Sequence, residues 1–83
     1  MKITVRYFAS IREAIGQGSE VVETSVTTLG ALREELIARG GAHASSLARG
    51  RAVRMALNQT LSDESATLTD GAEVAFFPPV TGG

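Results

Sequence analysis

The residues Pro78-Pro79-Val80-Thr81-Gly82-Gly83 offer one group suited to activation, the α-carboxyl of Gly83. With an ordinary pKa of about 3.5 it is ionised at neutral pH and is a poor electrophile. Converted to an acyl-adenylate by an ATP-using partner, it gains a good leaving group. The acyl carbon can then pass to a lysine amine, to a thiol, or to a sulfur donor that leaves a thiocarboxylate. In such chemistry the tail is the substrate and another protein is the catalyst. The plain alternative is a frayed end without a role.

The mechanics of this segment favour delivery. Proline fixes φ and restricts the residue before it, so Phe77-Pro78-Pro79 leaves any sheet as an extended rod without ladder donors. Six residues reach at most about 20 Å, enough to enter a neighbouring protein's active site. Gly82 and Gly83 lack side chains, so the tip is narrow.

Other candidates for chemistry are weaker. His43 is the only histidine, has no carboxylate or cysteine beside it in sequence, and reads as a solvated loop residue. Arg49, Arg51 and Arg54 form a small basic group that suits an acidic surface but reads first as solvated charge. Glu34-Glu35 reads as a wet helix face, and the adjacent side chains of Asp63 and Glu64 diverge too much for an acid–base pair. No metal site is expected. There is no cysteine, so neither disulfides nor thiolate chemistry is available, in keeping with a reducing compartment.

The elements that must position the tail follow from patterning. Eighty-three residues make one domain, read as 1–77, followed by the tail 78–83. Eight basic and nine acidic residues leave a net charge of −1, which argues against nucleic acid as a partner. All the basic residues lie at or before Arg54, so the last third is locally acidic. The opening MKITVRYF is too interrupted by polar residues for a signal peptide, and no run approaches a membrane span; a cytoplasmic location is expected.

Lys2 to Phe8 alternates as a strand, with Ile3, Val5 and Tyr7 on one face and Lys2, Thr4, Arg6 and Phe8 on the other. Ser10 and Glu13 have capping-box spacing for a short helix ending at Gly16. Glu20–Val26 reads as a second strand. A longer helix capped by Thr27 or Thr28 carries Leu29, Leu32, Leu36 and Ile37, with Arg33, Glu34 and Arg39 off that stripe, and stops at Gly40-Gly41. Residues 42–51 read as loop. Ala52–Leu57 is a third strand, Asn58-Gln59 a turn, Thr60-Leu61 a brief return, Asp70-Gly71 a turn, and Glu73–Phe77 the last strand.

One long helix over one face of a mixed sheet, in this order, predicts an α+β fold of the ubiquitin-like β-grasp type, with first and last strands parallel at the centre. If Val74 and Phe76 point inward with Ile3, Val5 and Tyr7, then Phe8 and Phe77 share the uncovered face; the opposite register would exchange them. Two aromatics beside such a tail read as a docking patch.

DGAEVAFFPPVTGG, Asp70–Gly83, closely resembles the C-terminus of the small, sulfur-carrying subunits of molybdopterin synthase. RYFASIREAIG, Arg6–Gly16, and ALNQT, Ala56–Thr60, are similar to that family's first strand with its short helix and to its central hairpin. Sulfur carriers for thiamine or tRNA thiolation and ubiquitin-like modifiers share Gly-Gly but usually not FFPPVTGG, and they remain the alternatives.

The resemblance implies a subunit that is not an enzyme on its own and binds no cofactor. Its C-terminal Gly83 is adenylated with ATP by a ubiquitin-activating-type adenylyltransferase. A cysteine desulfurase or rhodanese-like donor supplies sulfur for the thiocarboxylate, which sulfurates cyclic pyranopterin monophosphate to build the dithiolene of molybdopterin. It further implies a heterotetramer with the large synthase subunit, contacted through Phe8, Phe77, Pro78 and Pro79 and through the inserted Val80, Thr81, Gly82 and Gly83. Catalytic groups are then expected in the large subunit.

Overall fold

The alternation at the start of the chain fixes its first strand. The computed structural model describes residues 1–79 and opens with β1, Lys2–Tyr7, whose Ile3, Val5 and Tyr7 are fully buried. Helix α1, Ala9–Ile15, follows and ends at Gly16, which takes the left-handed conformation (φ 88°) and donates its N–H to the Arg12 carbonyl. Gly16 thus closes the helix as its type requires. The anticipated capping box does not form. Phe8 is the N-cap, its backbone carbonyl accepting from the Ile11 and Arg12 N–H groups, and Ser10 already lies inside the first turn.

Strand β2, Ser19–Glu23, returns antiparallel to β1. It stops short of the expected Val26 because the Thr24 side chain turns the chain, accepting from the Val26 N–H and donating to Glu35. Helix α2, Leu29–Ile37, is capped by Thr28, whose hydroxyl accepts from the Ala31 N–H at 3.2 Å. Two further N–H groups of its first turn, from Leu29 and Gly30, donate to the carbonyls of Ala66 and Glu64. The approach is so close that a Cβ on Gly30 would sit 2.8 Å from a Glu64 carboxylate oxygen.

The expected loop at 42–51 is largely a helix. α3 spans Gly41–Leu47, so three helices rather than one long one serve the sheet. Its pattern is faint because Leu47 is its only large apolar residue; what holds it is polar and distant in sequence. Arg33, only 5% exposed, donates from Nε to the Leu47 carbonyl at 2.8 Å and from a terminal nitrogen to that of Ala48 at 2.9 Å. Arg33 therefore does not lie on the solvated face anticipated for it.

Strand β3, Arg54–Leu57, pairs antiparallel with β4, Thr60–Ser62, through Asn58 and Gln59, both at positive φ. Asn58 also exchanges two hydrogen bonds with the backbone of Glu73, tying this turn to β5, Glu73–Phe77. The sheet order is β2-β1-β5-β3-β4, with β1 and β5 parallel at the centre and the other pairs antiparallel. Val22, Met55, Val74 and Phe76 meet Ile11, Leu29, Leu32, Leu36, Leu47 and Leu68 in one core on one side of that sheet. This is the β-grasp arrangement. Among the described residues, no helix is long and apolar enough to cross a membrane.

Arg33→Ala should lower the unfolding free energy by about 2–4 kcal/mol, because two carbonyls lose their donors and α3 its anchor. Urea denaturation measures this, and Arg33→Lys should recover only part of the loss, since an ammonium lacks the fork that meets both carbonyls.

Candidate functional site

Pairing fixes what the uncovered side of the sheet presents. Tyr7 stands opposite Phe76 in the parallel β1–β5 ladder, and both are buried. The next residue of each strand must point the other way, so Phe8 and Phe77 emerge together on the uncovered face. The Phe8 N–H donates to the Phe76 carbonyl at 3.2 Å, carrying the pairing one step past β1. Phe8 is 40% exposed.

Across the sheet, Arg6 is opposite Ala75, Ala75 opposite Ala56, and Ala56 opposite Leu61; Phe77 is opposite Arg54. Small alanines at the centre leave an open groove of about 680 Å³, walled by Phe8, Phe77, Pro78 and Pro79 with Arg6 and Glu73 at its polar end. The Arg6 guanidinium lies 5.5 Å from the centre of the Phe8 ring and 3.9 Å from the Glu73 carboxylate. Such a cation on an aromatic face favours one ring orientation. Ala9, at φ 52°, borders the same groove. A non-glycine residue in that region costs on the order of 1 kcal/mol, and here it turns the chain sharply from the Phe8 position into α1.

The structure therefore brings Phe8, Phe77, Pro78 and Pro79 to one groove. Pro78 also borders a small hollow with Ser10, Ile11, Arg51 and Val53, so its ring sits between the sheet face and the helix layer. The expectations for Val80, Thr81, Gly82 and Gly83 lie outside the described residues.

The remaining candidates fall elsewhere. His43, expected as a solvated loop residue, sits on α3 with its ring edge-on to Tyr7, centroids 5.9 Å apart, and its Nε2 2.9 Å from Glu20. Glu20 also accepts from the Tyr7 hydroxyl at 2.7 Å and from Arg39 at 2.6 Å. Arg49 is bonded to both Glu34 and Glu64. The Asp63 carboxylate accepts from Ser65, and Glu64 faces the arginines, so these two acids do not share a site. Arg51 donates to the Ser45 carbonyl, and Arg54 has no ion-pair partner among the described residues.

With this geometry in hand, comparison with known proteins places the fold. The ThiS family model matches residues 5–83. The chain belongs to the ThiS family. Among its relatives is the molybdopterin synthase sulfur carrier subunit of Escherichia coli, 44% identical over 81 residues, covering 98% of this chain and 99% of that one. A putative molybdopterin converting factor subunit 1 from Pyrococcus furiosus superposes with a TM-score of 0.80 at 28% identity, covering 96% of this chain and 99% of its own. A complex of subunits 1 and 2 of the Helicobacter pylori molybdopterin-converting factor contains a chain with a TM-score of 0.71 at 27% identity, each chain covered in full. The resemblance carried by the two ends of the sequence thus extends over the whole ThiS-family domain, including 42–51.

Two features escaped the sequence. Leu61, 62% exposed, extends the apolar face beyond Ala56, which only the β3–β4 register reveals. The Glu20 cluster draws on four separate segments. Burial alone would raise the Glu20 carboxyl, but hydrogen bonds from His43, Tyr7 and Arg39 outweigh it and bring the group down to about 2 from an ordinary 4.5. The Tyr7 hydroxyl is raised, by burial first and then by its bond to Glu20.

A depressed carboxylate stabilises the fold above its unfolded pKa, and that contribution is lost as pH falls through the folded value. Wild-type stability should therefore fall between pH 4.5 and about 2, by on the order of 3 kcal/mol from this group. Glu20→Gln should be less stable at neutral pH and lack this component of the acid transition. Thermal melts across that range should show the two proteins converging, and a constant gap would contradict the assignment.

Proposed function

We propose that this chain is the sulfur-carrying small subunit of a molybdopterin synthase. The observation that carries the reading is the continuity between the Phe8–Phe77 groove and the start of the tail at Pro78-Pro79, in a chain of this family. Its named relatives support it, being molybdopterin synthase sulfur carrier subunits at 36–44% identity.

In this reading a Gly83 carboxylate oxygen attacks the α-phosphorus of ATP on a ubiquitin-activating-type enzyme and pyrophosphate leaves. The outer sulfur of a persulfide on a cysteine desulfurase or rhodanese-like donor then displaces AMP from the acyl carbon. A thiol cleaves the resulting acyl disulfide, itself becoming disulfide-bonded to the donor and releasing the thiocarboxylate. The chain docks on the large subunit through its uncovered face, and the residues beyond Pro79 carry the sulfur to cyclic pyranopterin monophosphate. Two such donations complete the dithiolene. The chain itself binds no cofactor and supplies no acid or base; those groups belong to the large subunit, with one carrier at each end of a large-subunit dimer in the cytoplasm. Phe8 and Phe77 lose water on docking, Pro78 and Pro79 limit the directions in which the tail leaves, and Gly82 and Gly83 keep the tip narrow.

Incubation with the activating enzyme, ATP and a sulfur source should raise the intact mass by the difference between one sulfur and one oxygen. Attachment to a lysine of another protein would instead support a modifier, and no change under any pairing would sink the proposal. Deleting Gly83 should abolish sulfur transfer while leaving thermal stability and large-subunit binding near wild type. Phe77→Asp should weaken that binding at least tenfold without loss of fold, as expected for a charge forced into an apolar contact, and calorimetric titration measures it.

A further inference from the structure

The arginines nearest the start of the tail lack close carboxylate partners. Around α2, Arg33, Arg39 and Arg49 each have a carboxylate partner, whereas Arg12 on α1 has none among the described residues. Arg6, on the groove, reaches Glu73 only at 3.9 Å, and Arg51 and Arg54 have no carboxylate partner within ion-pair distance among the described residues. Arg54 is the register partner of Phe77, and Arg51 borders the hollow beneath Pro78. A chain whose net charge is −1 thus gathers positive charge where its tail departs, and the acids that share a hollow with Arg54 are engaged elsewhere, Asp63 by Ser65 and Glu64 by Arg49.

This arrangement constrains whatever covers Phe77. Directly opposed residues of an antiparallel pair have Cβ atoms about 5 Å apart, so a surface that seals the Phe77 ring also strips water from Arg54. A guanidinium desolvated without a partner costs several kcal/mol, and Glu73 is already turned to Arg6. The covering surface must therefore answer the charge.

We propose that the docking surface of the large subunit presents carboxylates opposite Arg54 and Arg51, flanking an apolar seat for Phe8 and Phe77. This rests on the reading of the chain as a synthase small subunit. The acidic rim steers the tail end of the carrier toward the large subunit and disfavours basic surfaces, while the aromatic pair holds it once docked. Charges at an interface rim act mainly on association rate and its salt dependence, whereas buried apolar anchors act on dissociation. The two groups of residues are thus separable by kinetics.

The test is the association of the intact chain with its cognate large subunit, followed by surface plasmon resonance at low and high salt. Arg54→Glu should slow association about tenfold at low salt, with the difference shrinking as salt rises and with little change in dissociation. Arg54→Gln should fall between, and thermal melts of both Arg54 variants should match wild type; Arg51→Glu, which also loses its bond to the Ser45 carbonyl, should slow association in the same direction. Association of Arg54→Glu at the wild-type rate and salt dependence, or faster than wild type, would overturn the acidic rim while leaving sulfur transfer by the wild type intact. Failure of the folded wild type to bind the large subunit at all would instead overturn the function reading and this proposal with it.

Discussion

Everything at the working end of this protein depends on the parallel pairing of β1 with β5. Side chains of a strand alternate strictly, so seating Tyr7 beside Phe76 in the core commits Phe8 and Phe77 to the opposite face one residue later. A slip of one residue would bury the outer set and expose the inner one, so the core enforces the register and the register aims the aromatic pair. The same pairing decides where the tail begins, because β5 ends at Phe77 and Pro78 cannot extend the ladder. Core packing and presentation of the uncovered face are thus one constraint, not two.

The helix layer is secured differently. α3 contributes Leu47 to the core but little other apolar surface, and its position is specified by polar contacts from other segments: Arg33 on the Leu47 and Ala48 carbonyls, and His43 on Glu20. Glu20 lies on the inner side of β2 and bonds Tyr7, so the cluster that holds α3 also touches the central strand. Directional bonds suit this role, since a short helix with one large apolar residue has many nearly equivalent ways to lie on an oily surface. These groups serve the architecture of the helix layer.

Much of this was legible in the sequence wherever a local rule had one outcome. The β5 span, the Asn58-Gln59 turn, the Gly16 stop and the outward facing of Phe8 and Phe77 follow from alternation and from residues tolerant of positive φ. What was missed depended on partners remote in sequence. Arg33 lies four residues after Leu29 and three before Leu36, so its burial was written in helical spacing, yet its charge argued for the solvated side until two carbonyls from the end of α3 supplied acceptors. The Ser10 cap failed because the tertiary pull of the Phe8 backbone on β5 began the helix earlier. Residues 42–51 had too few apolar side chains for periodicity to register, although Gly40 and Gly41, both at positive φ, mark where the chain reverses before α3.

The groove and the tail place opposite demands on the same few residues, and the structure reconciles them by position. Docking requires surface that is apolar and free; folding requires such surface to be buried. The exposed rings are kept few, with Ala75 and Ala56 filling the centre of the outer face so that it is shallow and Phe8, Phe77 and Leu61 stand at its margins. Arg6 lies against the Phe8 ring, and Arg54 and Arg51 stand by the exit, so the free protein exposes its apolar surface beside charge. Like charges around a patch oppose self-packing of two identical faces, whereas a surface of opposite charge meets no such penalty. A carrier of the proposed kind, which leaves one partner to reach another, is better served by that asymmetry than by a larger apolar patch, which would raise affinity for every greasy surface alike.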